Sequence, residues 1–454
     1  MICIKLYDNI FVRKMTKKTR LFMLIFCVVC FFVLAPILIA YSMGYRFDFE
    51  KMKIVATGGI YVRTFPVAEE ITIDSKISKK PGMFSNSVFV QSLLPKNHTV
   101  SIRKPGYYDY SKTLPVAESE VTKLENVLLI KKSLLFSSLA EKIDYFSISP
   151  DNQSVITAYG NSPMLFNNFS LNGAGQPTTF SLNMAGNVAD IIWSDNSKQA
   201  LIKIQSSGNV VYYLFNEAKP LLFLDKNSEQ ISFNPQDSKQ IFYIKNNILY
   251  SSKNRDASVV INNVISYQIS NNSIIWLSLA GALNKSDISG KLIEKFSTQN
   301  IAPDSKKNYS LFNFSGKIFL RDGISLFLYN DNKKTLEPFS APAGNFEMLY
   351  SPDKKNFVYW DSRDIYIYSS EDGEYKKLFS GEKVQNCQWL NNDYIIFSNQ
   401  NNIIISETDW RGNINAVTLP QTVNDNGQIF FNRQDNKIYL LANGEMLSSE
   451  KIIP

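Results

Sequence analysis

The hydrophobic pattern of the chain changes twice, and each of the three resulting regions predicts a different kind of structure. From Leu21 to Met43 no residue is charged, and most residues are large and apolar. A helix over this run, at about 1.5 Å per residue, is slightly longer than the bilayer core of about 30 Å. The single Pro36 does not cancel the favourable insertion of the surrounding Leu, Ile, Phe and Val residues. The run therefore predicts a transmembrane helix.

The second region, from about Ile54 to Leu129, consists of short runs in which apolar and polar residues alternate. These runs are GGIYVRTFP, EEITIDSK, SVFVQSLLP and HTVSIRKPGYY. Alternation bounded by turn residues is typical of half-buried β-strands. We therefore expect a small β-sandwich at residues 57–125, preceded by a linker at residues 44–56.

The strands of this second region resemble a PEGA domain, a small extracytoplasmic β-sandwich. The matching residues are Gly59, Pro66, Ile71, Ile73, Asp74, Lys76, Leu94, Pro95, His98, Val100, Ile102, Lys104, Gly106 and Tyr107. The sequence departs from the small residues that the family usually has in its turns at Glu69, Glu70, Ser75 and Lys96. The resemblance implies a surface-exposed binding or spacing domain without a catalytic role.

The third region, residues 126–454, repeats one unit about every forty residues, which is the period of a β-propeller blade. Each unit has an apolar strand, a tight turn rich in Ser, Pro, Asp and Asn, and then further strands. The turns are expected at Pro150, Ser194, Pro235, Asn272, Pro303, Pro352, Asn391 and Arg433. The fold class is therefore all-β, with about eight four-stranded blades and seven as the alternative. A strand within Asn126 to Ser137 is expected to complete the last blade.

Two of these turns, Pro150-Asp151 and Ser351-Pro352-Asp353, are similar to turns of TolB-like or WD40-like propellers. Such propellers occur in bacterial envelope proteins and as halves of prolyl-oligopeptidase-type enzymes. Those enzymes pair the propeller with an α/β-hydrolase domain, but this sequence contains no G-x-S-x-G motif. The resemblance implies a binding role in the bacterial cell envelope.

The charges that flank the apolar run predict the orientation of the chain. Residues 1–20 contain six Lys or Arg residues and one acidic residue, whereas Arg46, Lys51 and Lys53 are interleaved with Asp48 and Glu50. The positive-inside rule therefore predicts a cytoplasmic tail at residues 1–20, a single transmembrane helix at residues 21–43 and an extracytoplasmic remainder. A cleaved signal peptide is the alternative, but the run is long and no A-x-A site follows it.

The remaining charges and the cysteines exclude several function classes. The net charge of +7 is not concentrated in a stripe or a motif, so no nucleic-acid partner is expected. Cys387 is the only cysteine after the apolar run, so that region can contain no internal disulfide. Cys27 and Cys30 are expected to be apolar residues of the helix and not a metal or redox pair.

No catalytic, cofactor-binding or metal-ligating residue is predicted, and no cofactor is expected. His98 is the only histidine, and its position in an alternating strand favours a structural role. Aspartates recur at the predicted blade turns and are expected to gather at one end of the propeller; they are Asp151, Asp195, Asp237, Asp304, Asp353, Asp393 and Asp435. We expect each to accept hydrogen bonds from its own turn rather than to form a cation-binding ring.

These predictions together describe a membrane-anchored extracytoplasmic binding or scaffolding protein that is not an enzyme. Its expected partners are the lipid bilayer, through Leu21 to Met43, and envelope proteins or cell-wall glycans. The alternative is a propeller-type hydrolase or lyase that acts on envelope glycans or peptides with carboxylates or tyrosines of the central channel. Acidic side chains converging in that channel would favour the enzyme, whereas Asn, Ser and aliphatic residues would favour the binding protein.

Overall fold

The computed structural model describes residues 16–82, 85–171, 177–216, 221–224, 228–253, 256–270, 272–314, 316–323, 325–339, 347–369, 373–424 and 427–453. The described residues divide into two compact units. Unit 1 contains the residues up to Pro105, together with Asp109–Leu129 and Arg411–Asn413. Unit 2 contains Gly106–Tyr108, Ile130–Trp410 and the residues from Ile414 onwards.

Unit 1 begins with one long helix, α1 (Lys17–Ser42), in which no residue is buried. By length and composition, this helix is apolar enough to cross a membrane. The prediction of a helix from Leu21 is confirmed, although the helix begins four residues earlier. The earlier start follows from Thr16, whose side-chain oxygen accepts a hydrogen bond from the Thr19 N–H (3.3 Å) and caps the first turn.

Part of the predicted linker forms a two-stranded antiparallel hairpin of β1 (Tyr45–Asp48) and β2 (Lys53–Ala56). The turn of this hairpin is stabilised by Asp48, whose Oδ1 accepts hydrogen bonds from the N–H groups of Glu50 (2.9 Å) and Lys51 (3.2 Å). An aspartate that accepts from the next two or three N–H groups is a common way to close a turn.

The rest of unit 1 contains two further sheets. Their strands are β3 (Gly58–Phe65), β4 (Glu70–Ile73), β5 (Ile77–Lys79), β6 (Ser87–Leu93), β7 (Asn97–Arg103), β8 (Tyr110–Pro115) and β9 (Val121–Leu128). One sheet has the order β6-β3-β9, with β3 and β9 parallel, and the other has the order β5-β4-β7-β8. Every second side chain is buried in the central strands, as for Ile71 and Ile73 or Val100 and Ile102. This alternation is what the sequence predicts for half-buried strands.

Unit 2 contains eight four-stranded antiparallel sheets in the part of the chain that is described. Strand β10 (Phe136–Glu141) comes first in the chain and belongs to the last sheet. Sheet 1 contains β11 (Tyr145–Ile148), β12 (Ser154–Tyr159), β13 (Met164–Ser170) and β14 (Thr178–Leu182). Sheet 2 contains β15 (Asn187–Trp193), β16 (Ala200–Ser206), β17 (Asn209–Phe215) and β18 (Leu221–Leu224). Sheet 3 contains β19 (Glu229–Asn234), β20 (Asp237–Lys245), β21 (Ile248–Lys253) and β22 (Asp256–Asn262).

The second half of unit 2 repeats the same arrangement. Sheet 4 contains β23 (Val264–Ser270), β24 (Ser273–Ser278), β25 (Leu283–Asp287) and β26 (Glu294–Lys295). Sheet 5 contains β27 (Tyr309–Phe314), β28 (Lys317–Asp322), β29 (Ser325–Asn330) and β30 (Thr335–Phe339). Sheet 6 contains β31 (Glu347–Tyr350), β32 (Asn356–Trp360), β33 (Asp364–Ser369) and β34 (Tyr375–Ser380). Sheet 7 contains β35 (Val384–Trp389), β36 (Tyr394–Asn399), β37 (Asn402–Glu407) and β38 (Ala416–Thr422). Sheet 8 contains β39 (Ile429–Asn432), β40 (Lys437–Ala442) and β41 (Glu445–Ser449), with β10 as its fourth strand.

The sheets pack against one another in sequence order and return to the start, which is the architecture of a β-propeller. Buried apolar clusters join sheet 1 to sheet 2, sheet 2 to sheet 3, and so on as far as sheet 7. A further cluster joins sheet 8 back to sheet 1 and includes Phe146, Val155, Tyr439 and Met446. Each sheet therefore covers its neighbour, as expected because no single sheet can bury its apolar face alone.

The last sheet takes its outer strand from the beginning of unit 2, because β10 pairs antiparallel with β41. Closure by an earlier strand is as the sequence predicts, but the strand begins at Phe136 and extends beyond the predicted segment, Asn126 to Ser137. Residues 126–128 are not available for closure, since they belong to β9 and pair with β3 in unit 1.

Seven of the eight predicted turns lie between the first and second strands of a sheet, and Pro303 does not. Pro303 and Asp304 lie in the connection that precedes β27. Asp304 forms a local turn there, since its Oδ1 accepts a hydrogen bond from the Lys306 N–H (2.9 Å). The corresponding turn of sheet 5 contains Gly316, whose φ of +79° favours glycine. This position restores an interval of about forty residues on both sides.

Candidate functional site: the central channel of unit 2

A cavity of about 1100 Å³ lies where the first strands of sheets 6, 7, 8, 1 and 2 converge. These strands are the innermost ones of the propeller, so the cavity is part of its central channel. Such channels are common ligand sites because several strand ends present polar groups to one concave space. The cavity is therefore the candidate functional site of this unit.

Three acidic side chains line the cavity: Asp144, Asp190 and Glu347. No Lys, Arg or His occurs among its described lining residues, although the whole chain has a net charge of +7. A concave site of one sign concentrates counter-ions and repels groups of the same sign. The channel thus favours cationic or hydrogen-bond-donating groups over anions.

Asp190 accepts a hydrogen bond from the hydroxyl of Tyr145, with 3.3 Å between the Tyr145 oxygen and Oδ1. Burial and the neighbouring charge of Asp190 together raise the pKa of Tyr145 well above its ordinary value. The same Oδ1 also accepts from the N–H of Ile191 (2.8 Å). Tyr145 therefore stays protonated and acts as a hydrogen-bond donor at physiological pH.

Glu347 and Cys387 lie on neighbouring first strands, β31 and β35, and both line the cavity. Glu347 is reached by solvent through the channel, but the protein around its carboxyl group raises its pKa by desolvation, an effect that the charge of Arg321 partly offsets. Cys387 is only 3 % exposed, and burial together with the charge of Glu347 raises the pKa of its thiol. The thiol therefore remains neutral and does not have the thiolate character of a nucleophile.

Much of the channel wall is built from side-chain amides that already bind backbone groups of the next sheet. The Asn386 amide donates to the Gly427 carbonyl (2.8 Å), and the Gln388 amide donates to the Ile429 carbonyl (2.9 Å). Gln428 continues the series, since its Oε1 accepts from the N–H of Phe146 (2.9 Å). These bonds join sheet 7 to sheet 8 and sheet 8 to sheet 1, so they fix the shape of the channel.

The geometry that presents these groups comes from bulges near the beginning of the first strands. The pairing register shifts between Val188 and Asp190 in β15 and between Gln385 and Gln388 in β35. Asn386 has a φ of +55°, which Asn tolerates better than most residues. Bulges re-aim side chains and are frequent near functional sites.

The arrangement of the channel can bind polar and cationic groups. Within the described residues, no group of three or more His, Cys, Asp or Glu is placed to hold a metal ion.

None of these channel residues is predicted from the sequence. Asp144 lies just before β11 in sheet 1, Glu347 is the first residue of β31 in sheet 6, and Asp190 lies at the bulge in the middle of β15 in sheet 2. These three acidic residues occupy similar places in their repeats, but the similarity is seen only when the repeats are aligned on the first strand. In the sequence, the repeats are recognised instead by the turn that follows this strand. A bulge shifts that alignment by one residue, which hides the signal.

His98, the single histidine, is 4 % exposed and lies in unit 1. Its Nδ1 is 2.6 Å from Oδ2 of Asp74, and its Nε2 is 2.8 Å from the carbonyl oxygen of Leu94. Both ring nitrogens therefore have protein partners. This geometry is that of a structural histidine.

Most of the predicted aspartates that the structure shows at turns accept hydrogen bonds from their own turn. Oδ1 of Asp151 accepts from the Ser149 hydroxyl (2.5 Å) and the Gln153 N–H (3.1 Å), and Asp353 has the equivalent partners. Oδ1 of Asp237 and of Asp435 accepts from the N–H two residues later. In sheet 2 the capping residue is Asn196 and not the predicted Asp195, since Asn196 accepts from the Ser194 hydroxyl (2.8 Å).

No protein-family model and no curated protein matches this sequence. Solved structures that resemble it in fold include BamB from Moraxella catarrhalis, with a TM-score of 0.45 and 9% identity over 70% of this chain and 98% of that chain. Kluyveromyces lactis Hsv2 has a TM-score of 0.39 and 10% identity over 62% of this chain and 100% of that chain. The β-propeller domain of Myceliophteria thermophila Cps50 (Swd1) has a TM-score of 0.45 and 8% identity over 70% of this chain and 98% of that chain. All three scores are below 0.5, so the assignment of a propeller rests on the order and packing of the sheets.

Proposed function

We propose that this protein is a membrane-anchored extracytoplasmic binding or scaffolding protein of the bacterial cell envelope and that it is not an enzyme. The observation that carries the proposal is helix α1, which has 26 residues and no buried residue. Large apolar side chains are exposed along its length, including Phe22 at 71 % and Phe32 at 71 %. Such a surface is stable in a bilayer and unfavourable in water.

The orientation that we propose has the N-terminus in the cytoplasm and both units outside it. Lys17, Lys18 and Arg20 lie at the beginning of the helix, whereas the basic residues that follow the helix alternate with acidic ones. The excess of positive charge before the helix supports a cytoplasmic N-terminus. The helix then acts as an uncleaved anchor at residues 21–43.

In this proposal unit 1 contains a PEGA-like sandwich, which extends to the end of β9 at Leu128 and so beyond the expected range of residues 57–125. Unit 2 is an eight-bladed propeller of the WD40-like or TolB-like type, expected at residues 126–454. The two sheets of unit 1 and the turn that contains Asp74 support the first assignment. The eight four-stranded sheets and the closure of sheet 8 by β10 support the second. Both folds are common in interaction proteins, although a fold alone does not fix a function.

The channel supports binding more than catalysis. The amides of Asn386 and Gln388 are already bonded to backbone groups, the Cys387 thiol is neutral and Tyr145 is protonated. The carboxylates of the channel have acceptor lone pairs beyond those used by Gly160, Tyr145 and Ile191, so they can accept hydrogen bonds from amines, guanidinium groups and hydroxyls. The partners that we propose are envelope proteins with basic side chains, or cell-wall glycans, whose hydroxyl and amino groups are donors.

One observation favours the alternative, a hydrolase or lyase that acts on envelope glycans or peptides. Tyr145, Asp190 and Glu347 all line one cavity, and desolvation by the surrounding protein raises the pKa of the Glu347 carboxyl group, with a partial offset from Arg321. A carboxyl group with a raised pKa can act as a general acid near neutral pH. This alternative requires that the channel turns over a substrate.

The test is a crosslinking pull-down of the full-length protein from intact cells, followed by identification of the attached proteins and glycans. The channel variant Asp190→Asn/Glu347→Gln is compared with Asp256→Asn/Glu294→Gln, which changes two exposed residues on outer strands. We expect one stoichiometric envelope partner, retained by the outer-strand variant and lost by the channel variant. If the purified protein instead converts cell-wall glycan or peptide and the channel variant does not, the enzyme is correct and the scaffold is not.

A further inference from the structure

The hairpin of β1 and β2 reverses the usual distribution of apolar and polar side chains. Phe47 pairs with Ile54 and Tyr45 pairs with Ala56, so these four side chains lie on one face. On this face Tyr45 is 41 %, Phe47 43 % and Ile54 67 % exposed. A half-buried hairpin normally turns its apolar face to the core.

The opposite face of the hairpin is the one that packs against the rest of unit 1. Val55 and Asp48 lie on that face, and each is only 2 % exposed. The exposed apolar surface continues into the turn, where Phe49 is 80 % and Met52 is 73 % exposed. The hairpin is therefore held by one face and presents a continuous apolar surface on the other.

The hairpin is also attached to the end of helix α1. Nη1 of Arg46 donates to the carbonyl oxygens of Tyr41 (2.7 Å) and Tyr45 (2.8 Å), and its guanidinium carbon lies 3.5 Å from the centre of the Tyr41 ring. At the same open end of the hairpin, the Thr57 hydroxyl donates to the Gly44 carbonyl (2.6 Å). A cationic group at a helix C-terminus is favourable because it binds the last carbonyl groups. These contacts fix the hairpin directly beside the last turn of the helix.

The length of the helix determines the depth of the hairpin in a membrane. The uncharged run from Leu21 to Met43 is about 34 Å long as a helix, against about 30 Å for the hydrocarbon core. Met43 therefore lies at the boundary of the core, and Tyr41 and Tyr45 lie in the interfacial layer, where aromatic residues are enriched. The hairpin begins two residues after Met43, so it lies at the level of the lipid headgroups.

We propose that the hairpin Tyr45–Ala56 is a second, interfacial membrane anchor. Its exposed apolar side chains, Phe47, Phe49, Met52 and Ile54, pack among the headgroups and upper acyl chains. The occupant of this apolar face is the bilayer, because its residues directly follow the exposed apolar residues of α1 in the chain and Arg46 holds β1 against Tyr41 of that helix. The inference rests on the proposed function in one respect, namely that α1 spans the membrane.

The test uses the full-length chain in vesicles of phosphatidylethanolamine and phosphatidylglycerol, with one spin label per variant. Labels are placed at Phe49→Cys and Met52→Cys after replacement of Cys3, Cys27 and Cys30, and buried Cys387 is retained. The native Cys30 is labelled alone as the marker for the helix. Lys79→Cys is the aqueous control, since Lys79 is exposed in the polar edge strand β5 and lies outside the hairpin. Collisions of each label with oxygen and with a water-soluble nickel chelate are measured.

We expect the labels at positions 49 and 52 to collide several-fold less with the nickel chelate than the label at position 79, and to collide more with oxygen. If Cys30 shows membrane depth but positions 49 and 52 behave like position 79, the interfacial anchor is wrong and the helix assignment stands. If Cys30 itself is accessible to the chelate, the membrane assignment of the proposed function fails. Protection from both reagents at positions 49 and 52 would indicate a protein contact, such as a second copy of this chain, and would also overturn the inference.

Discussion

Asp74 forms a hydrogen bond with the buried His98 between the turn after β4 and strand β7, with 2.6 Å between Oδ2 and Nδ1. The other carboxylate oxygen of Asp74 accepts from the N–H of Thr99 (2.9 Å). Asp74 has a φ of +53°, so its backbone is in the left-handed region that Asp and Asn tolerate. One side chain thus connects the hairpin of β4 and β5 to the strand that carries the single histidine.

We expect Asp74→Ala to lower the free energy of unfolding of unit 1 by about 1–3 kcal/mol, because it leaves buried hydrogen-bonding groups of His98 and Thr99 without a partner. Asp74→Asn is the matched variant, since it keeps an oxygen for Thr99 and tolerates the positive φ. Its loss should be clearly smaller. Urea unfolding, followed by hydrogen exchange in the β4 and β7 peptides, measures the free energy of unfolding of both variants. Equal losses of stability in Asp74→Ala and Asp74→Asn would contradict the role of the pair.

The same pair predicts a dependence of stability on pH. Burial alone would raise the pKa of Asp74, but the hydrogen bonds from Thr99 and His98 outweigh it and lower the pKa below 3.8. A carboxyl group with a lowered pKa contributes stability above its unfolded pKa and loses that contribution as the pH falls through the folded pKa. Wild-type unit 1 should therefore lose stability relative to Asp74→Asn below about pH 3.8, as measured by urea unfolding between pH 2 and 6. A constant difference between the two proteins over this range would exclude the linkage.

In the propeller turns of the Ser-Pro-Asp type, we expect that an asparagine can replace the aspartate. Asp353 accepts from the Ser351 hydroxyl (2.6 Å) and the Lys355 N–H (3.1 Å), and Asn196 already makes both equivalent bonds in sheet 2. Asp353→Asn should change stability by less than about 0.5 kcal/mol, whereas Asp353→Ala should lose about 0.5–1.5 kcal/mol. Thermal unfolding measures both, with calcium and with a chelator. A large stabilisation by calcium that Asp353→Asn removes would support a cation ring instead of local caps.

The sequence predicts the β-propeller because its signal is local and repeated. A turn such as Ser351-Pro352-Asp353 is determined by neighbouring residues, so it can be recognised without knowledge of the fold. The same locality explains the error at Pro303, where Asp304 caps a turn in a connection between two sheets. The turn of sheet 5 contains Gly316 and lacks the Pro-Asp pair, so the pattern gives no sign of it.

The channel could not be predicted in the same way, because it depends on contacts between distant residues. Gln388 accepts from Phe431 and donates to Ile429, about forty residues later in the chain, and neither partner is visible in the local pattern. Asp190 and Glu347 line one cavity although they are far apart in sequence. The hairpin of β1 and β2 is a third case, since its exposed Phe47 and Ile54 resemble core residues of a strand.

Trp389 should be one of the strongest links between neighbouring sheets. Its side chain is 1 % exposed, and its indole N–H donates to the carbonyl of Leu349 in sheet 6 (2.9 Å). Trp389→Phe removes this donor and leaves a cavity, so we expect a loss of about 1–3 kcal/mol in the free energy of unfolding. Trp193→Phe is the control, since Trp193 is only half-buried and donates to the rotatable hydroxyl of Ser147 (3.0 Å). Guanidinium unfolding of unit 2 should show the larger loss for Trp389, and the reverse order would count against this link.

Removal of the charge of Glu347 should stabilise the propeller. Desolvation raises its pKa above the ordinary value of 4.5, with a partial offset from Arg321, so the folded chain binds a proton more tightly than the unfolded chain does. The wild-type protein therefore loses stability as the pH rises from about 4.5 through the folded pKa, and Glu347→Gln should not. We expect the variant to match wild type at pH 4 and to unfold at a higher temperature at pH 8.

The control for Glu347 is Glu294→Gln on the exposed outer strand of sheet 4, which should leave the unfolding temperature unchanged at both pH values. A lower unfolding temperature for Glu347→Gln at pH 8 would show that the carboxylate is stabilising and would refute the desolvation argument. A carboxylate that destabilises the fold at neutral pH is expected at a ligand site, where its charge stabilises the complex instead. Glu347→Gln should therefore raise the stability of the propeller and weaken its binding to the partner. A loss of binding without a gain in stability would contradict this argument.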